Sequence, residues 1–189
     1  MDKMLDCFGC VGNTIKVSAG HYLNLADPNP QCIEIQSIAS ALGKICRFGG
    51  HCPRFYSVAE HSVLATHVAI RDSVCNAACR AILMHDAVEA FIGDMVKPLK
   101  IMVPQFVEIE QRIESAIDTA FGLNFNEWRR TIKQYDRAML KLEKTTMWPD
   151  DTEQWAGFSD VAMADTTLRF FNPDDATAMF LNLWNALNR

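Results

Sequence analysis

Six residues of this chain carry the groups from which a metal-dependent reaction could be built: His61, His85, Asp86, Glu89, Asp94 and Asp136. Ile82, His85, Asp86 and Glu89 stand at i, i+3, i+4 and i+7, so a helix here would put one imidazole and two carboxylates on a single inward face. Val58, His61, Ala65 and Val68 follow i, i+3, i+7 and i+10, which sets His61 on a buried stripe of another helix. Ionisable groups on faces that should be apolar cost on the order of several kcal/mol unless something compensates them. A shared divalent cation is the simplest compensation. His61 and Asp136 would supply ligands from outside the His85-Asp86 pair, since Asp136 flanks an apolar stripe beside Ile132 and Met139. Taken singly, a core histidine satisfied by a neighbour or a solvated aspartate is the ordinary reading of each. Their coincidence on three successive helical segments favours one common ion.

The elements that must hold these residues follow from periodicity and punctuation. Ile15, Val17, Tyr22, Leu23 and Leu25 flank Ser18-Ala19-Gly20, predicting two short strands and a turn. Asp27-Pro28-Asn29-Pro30 breaks the chain, and the period then becomes helical. A first helix is expected over 35–46, ended by Gly49-Gly50. A second starts at Ser57-Val58-Ala59-Glu60, which reads as a capping box. A third is expected over 75–92, stopped by Gly93. A fourth runs from Pro104 to Gly122, with Phe106, Ile109, Ile113, Ile117 and Ala120 inward. A fifth follows Asn126 to about Met147, with Trp128, Ile132, Tyr135, Met139 and Leu142 inward. The stretch 150–171 reads as loop with a short helix over 161–168. The last helix opens at Asn172-Pro173-Asp174-Asp175: cap, first-turn proline, then acids facing the dipole. Its inward face holds Met179, Phe180, Leu183 and Leu187. The expectation is a mostly α protein, a compact helical bundle with a short N-terminal hairpin, forming one domain over 14–189 behind an extension at 1–13.

Composition narrows the classes. Of 189 residues, 49% are hydrophobic and 22% charged, enough apolar surface to fold as one core. Net charge is −5, and the 18 Lys and Arg are scattered. A groove that tracks a nucleic-acid polymer is therefore not expected, whereas a small phosphate pocket needs only a few cations. No apolar run approaches the ~20 residues that span a bilayer. Met1 to Gly12 lacks the cationic start and long apolar stretch of a signal peptide, and seven Cys is an odd number that suits reduced thiols. Both point to a cytoplasmic protein. Cys7-x-x-Cys10 has no second pair with which to form a zinc ribbon, and Cys75 and Cys79 lack a His partner at finger spacing.

The order His … His-Asp … Asp resembles the signature of HD-domain metal-dependent phosphohydrolases. Phe55-Tyr56-Ser57-Val58-Ala59-Glu60-His61-Ser62, His85-Asp86-Ala87-Val88-Glu89-Ala90-Phe91-Ile92-Gly93-Asp94 and Ile45-Cys46-Arg47-Phe48-Gly49-Gly50-His51 look like one branch of that family. It is the branch of bacterial 5′-deoxynucleotidases and phage dATP triphosphohydrolases. The likeness runs from about Thr14 to about Met147. It implies an HD-domain helical bundle in which His61, His85, Asp86 and Asp136 bind a divalent ion, with Mn²⁺, Co²⁺, Fe²⁺, Ni²⁺ or Zn²⁺ suiting the donors and Mg²⁺ able to join through phosphates. Glu89 and Asp94 would handle the attacking water and its protons, in an order the residues leave open.

An anionic substrate calls for cations, and Arg47, Lys97, Lys100 and Lys133 are the candidates. Lys97 and Lys100 bracket Pro98. Phe48 would pack on a base or sugar, and His51 either lines the pocket or caps a turn. Arg47, Phe48, His51, Pro98, Lys100 and Lys133 are thus the expected substrate-binding residues. His67, about 120° round the helix from His61, is expected at the surface. The implied reaction is hydrolysis of 2′-deoxynucleotide 5′-phosphates at the α-phosphate. The lysines after Asp94 tilt it toward a dNTP, dATP by likeness, released as deoxynucleoside and triphosphate. A 5′-deoxynucleotidase acting on dNMPs, a phosphodiesterase for cyclic or signalling nucleotides, and a metal-bound nucleotide sensor without turnover are the alternatives. The aromatic residues of the last helix and the likeness imply a homo-oligomer.

Overall fold

The computed structural model describes residues 12–155, 158 and 160–189; Cys7 and Cys10 lie outside them. Two short antiparallel strands, β1 (Thr14–Lys16) and β2 (Tyr22–Asn24), pair with Ile15 opposite Leu23. Among the described residues eight α-helices follow: α1 (Ile35–Leu42), α2 (Val58–Arg71), α3 (Asn76–Leu83), α4 (Glu89–Ile92), α5 (Lys97–Met102), α6 (Pro104–Phe121), α7 (Phe125–Met147) and α8 (Pro173–Leu187). The expected mostly helical fold with an N-terminal hairpin is what forms. No described helix is long and apolar enough to cross a membrane.

The bundle is built around α2, which packs against α3, α7 and α8. Every residue from Val58 to Ala69 is buried except His67. A helix enclosed on all sides must be apolar nearly throughout, and this one is, apart from Glu60, His61, Ser62 and Thr66. Ser57 caps it by accepting the Glu60 amide. The Glu60 carboxylate makes no reciprocal cap. It is 1% exposed and accepts three amides from the far end of the chain, those of Arg169, Phe170 and Phe171, at 2.7, 2.9 and 2.8 Å. The next residue, Asn172, caps α8 by accepting the Asp175 amide, and Gly122 ends α6 in the left-handed conformation (φ 59°), both as the sequence predicts.

Four expectations are corrected. The first helix stops at Leu42 rather than at residue 46. Gly43 lies so close to α8 that a Cβ there would stand 2.2 Å from Thr177 Oγ1, and the chain then turns to pair with residues 56–58. The expected third helix is two, α3 and α4, separated by turns over 84–88. No helix forms over 161–168 among the described residues; Ala164 instead donates to the Ala138 carbonyl of α7. Phe180 and Trp184 of α8 are buried within the chain, so they offer no surface for a second copy. A short helix that periodicity missed, α5, carries the exposed apolar residues Leu99, Ile101 and Met102.

Candidate metal centre

His61 projects from the second turn of α2 and is fully buried. Its Nδ1 hydrogen-bonds Glu143 Oε1 at 2.5 Å, which leaves Nε2 facing the opposite way. His85 and Asp86 sit where α3 has just ended. The backbone there tightens to i→i−3 hydrogen bonds, such as Ala87 to Met84 and Glu89 to Asp86, both 3.0 Å. The carbonyl of Ile82, on the last turn of α3, accepts from His85 Nδ1 at 2.7 Å. That bond sets the orientation of the ring, so that its Nε2 also faces inward. Asp136 is reached from the middle of α7.

Three of these side chains, His61, His85 and Asp86, converge, and Asp136 approaches the two imidazoles. The ligand atoms of His61, His85 and Asp86 lie within 4.8 Å of one another. Asp86 Oδ2 stands 3.1 Å from His85 Nε2 and 3.9 Å from His61 Nε2. Asp136 Oδ1 stands 3.4 Å from His61 Nε2 and 3.9 Å from His85 Nε2. Both Nε2 atoms are buried, and each faces these carboxylates without a well-aligned hydrogen bond. Two imidazole nitrogens with two carboxylates beside them form a donor set that suits a divalent transition ion, and the residues present fit that group.

Charge accumulates accordingly. Burial and the Arg47 charge oppose protonation of His61, but Glu143 and Asp136 outweigh them and push the imidazole up to about 9. His85 is raised too: Asp86 and Asp136 overcome burial. Against the cost of burial, the imidazoles hold Asp86 and Asp136 below the usual carboxylate range. Glu89 behaves oppositely. It is 6% exposed, its Oε2 has no partner, and burial with the nearby charges of Asp86 and Asp94 pushes it up to about 10. Asp94, just past Gly93, is raised by burial and by Asp86, although Arg47 pulls the other way.

Arg47 reaches the cluster from a loop stapled to the start of α2. Its amide donates to the Tyr56 carbonyl at 2.9 Å, and Cys46 bridges Ser57. The guanidinium is nearly enclosed, with Nη1 on Asp86 Oδ2 at 3.3 Å and Nη2 on Glu143 Oε2 at 3.2 Å, while Nε is buried without a partner. Phe48 follows with a positive φ of 57°, a strained state for a side chain of its size. Its ring meets Trp148 at 5.1 Å and Trp155 at 6.3 Å, making an aromatic wall beside Arg47.

The remaining expected substrate residues are more dispersed. His51, Pro98 and Lys97 are exposed. Lys100 is engaged by Glu110 at 2.6 Å. Lys133 is exposed, on the wall of a cavity of about 260 Å³ that opens beside His85 and Asp136 and is also lined by Glu114, Phe125, Arg129 and Ile132. His67 is at the surface, as expected.

One residue of the centre is absent from the sequence reading. Glu143 is fully buried on α7 and touches both His61 and Arg47. It stands seven residues after Asp136, so its register on the same helix face was a readable signal.

No protein-family model matches the chain. Two curated relatives do. An uncharacterized protein of Rhodobacter capsulatus is 34% identical over 167 residues, covering 84% of this chain and 80% of its own length. YfdR of Escherichia coli K12, also described as uncharacterized, is 32% identical over 179 residues, covering 92% of this chain and 95% of its own length. Similarity at that level across most of each chain shows common descent: the protein belongs to the family of the uncharacterized protein YfdR.

Proposed function

We propose that the protein is a metal-dependent HD-type phosphohydrolase that cleaves 2′-deoxynucleotide 5′-phosphates at the α-phosphate. The observation that carries this reading is the pair of buried Nε2 atoms of His61 and His85 gathered with Asp86 and Asp136. These four residues would hold the ion, which when bound would polarise phosphoryl oxygens and acidify a water. Arg47 offers the substrate phosphate a desolvated positive charge, with Nε free of protein partners. Glu89, one turn from the His-Asp pair, is kept protonated by burial and its acidic neighbours in the metal-free protein. Once that proton leaves, its carboxylate can orient the attacking water or accept its proton. Asp94, whose charge acts on Glu89, is the second proton carrier. Phe48 and the tryptophans beside it form the apolar wall for the nucleoside.

Triphosphates are the favoured substrates. Lys100 is occupied by Glu110, but Arg129 and Lys133 line the cavity that opens beside His85 and Asp136, where a phosphate tail could extend. Purified protein, loaded with Mn²⁺ or Co²⁺ and given each dNMP and dNTP, is expected to yield deoxynucleoside and triphosphate from dNTPs. Orthophosphate from dNMPs with dNTPs untouched would overturn the triphosphate preference. No hydrolysis of any nucleotide by metal-loaded protein would overturn the whole reading.

A further inference from the structure

We propose that Glu143 is the positioning residue of this centre, a single buried carboxylate that holds both the imidazole of His61 and the guanidinium of Arg47. The inference deepens the function proposed above and rests on it. Glu143 divides its two oxygens between two partners, Oε1 to His61 Nδ1 and Oε2 to Arg47 Nη2, and has no exposure to water. An imidazole held by one nitrogen presents the other in a fixed direction, and a carboxylate partner also strengthens its basicity. A guanidinium is planar, so securing Nη2 on Glu143 and Nη1 on Asp86 fixes the plane in which Nε points. Glu143 and Asp136 lie two turns apart on one rigid helix, α7. The carboxylate that aims His61 is therefore in fixed register with a member of the ligand cluster. Loosening Glu143 should weaken two functions together: capture of the ion and capture of the phosphate.

The test uses Glu143→Gln and Glu143→Asp in the full chain, with folding checked by circular dichroism and thermal melting. Co²⁺ is the probe, titrated against a competing chelator and followed by its visible spectrum. Glu143→Gln is expected to bind Co²⁺ about 10–100-fold more weakly, with an altered spectrum. Glu143→Asp keeps the charge but withdraws it by one methylene, and it is expected to move both readouts in the same direction. KM for dATP should rise in Glu143→Gln, and its effect should be non-additive with that of Arg47→Ala. Wild-type Co²⁺ affinity and spectrum in every variant that folds would overturn the proposal. Wild-type protein that binds Co²⁺ but hydrolyses no nucleotide would overturn the proposed function alone, whereas wild-type protein that binds no Co²⁺ would overturn both.

Discussion

Metal binding at this centre should be strongly coupled to protons, and His61 sets the size of the effect. With its imidazole pushed up to about 9, His61 carries a proton at neutral pH in the metal-free protein. That proton must leave before Nε2 can donate to an ion. Each pH unit below 9 therefore costs about tenfold in apparent affinity, or about 1.4 kcal/mol. Between pH 8 and pH 6 His61 alone should weaken Co²⁺ binding by about 100-fold. His85 is raised as well and steepens the slope. Chelator competition at pH 6, 7 and 8 measures the slope, and calorimetry in buffers of different ionisation heat counts the protons released. At least one proton per ion is expected at pH 7. An affinity that is flat from pH 6 to 8, with no proton released, would refute the charge balance described for the cluster. Without metal, the sign for stability is the reverse. A folded value above the unfolded one, about 6.5, gives stability that is complete below that value and is lost as pH rises through about 9.

Glu89→Gln should keep Co²⁺ affinity near that of wild type while lowering kcat by about 10²–10⁴-fold, because it removes a proton carrier and leaves the four ligands in place; full activity would exclude its role. Arg129→Ala combined with Lys133→Ala should raise KM more for a deoxynucleoside triphosphate than for the monophosphate, and equal effects on both would remove the tail from the cavity beside Asp136. Gly43→Ala forces a methyl to within 2.2 Å of Thr177 Oγ1 and 2.7 Å of the Pro173 carbonyl, so it should destabilise the fold by about 1–3 kcal/mol, read as a lowered midpoint in urea.

Where local chemistry decides the structure, the sequence is a sufficient guide. The Ser57 and Asn172 caps, the Gly122 stop and the α7 stripe all follow from side chains acting within a turn of themselves. The break after Leu83 does not. Residues 82–92 contain neither Gly nor Pro and keep a helical period. What ends α3 is partly the His85 ring, which takes the Ile82 carbonyl, and no propensity records such a bond. No helix was expected over 97–102, where Pro98 serves in the first turn of α5 and its missing amide costs nothing. The four cluster residues were legible because charges on apolar faces are conspicuous. Glu143 was missed because a search for apolar periodicity passes over a carboxylate within the stripe. Arg47 stood out through the motif Arg47-Phe48-Gly49-Gly50. Its simultaneous pairing with Asp86 and Glu143 arises from segments 39 and 96 residues away.

Glu60 gives the carboxyl-terminal region an importance that its distance along the chain conceals. Three amides from residues 169–171 end on that one anion, immediately before His61 in α2. A chain cut short of residue 169 would strand a negative charge in a dry interior, next to a histidine of the cluster. The tail thus behaves as a keystone, and proteolytic trimming or a frameshift late in the gene should damage the far-off centre as surely as a change within it.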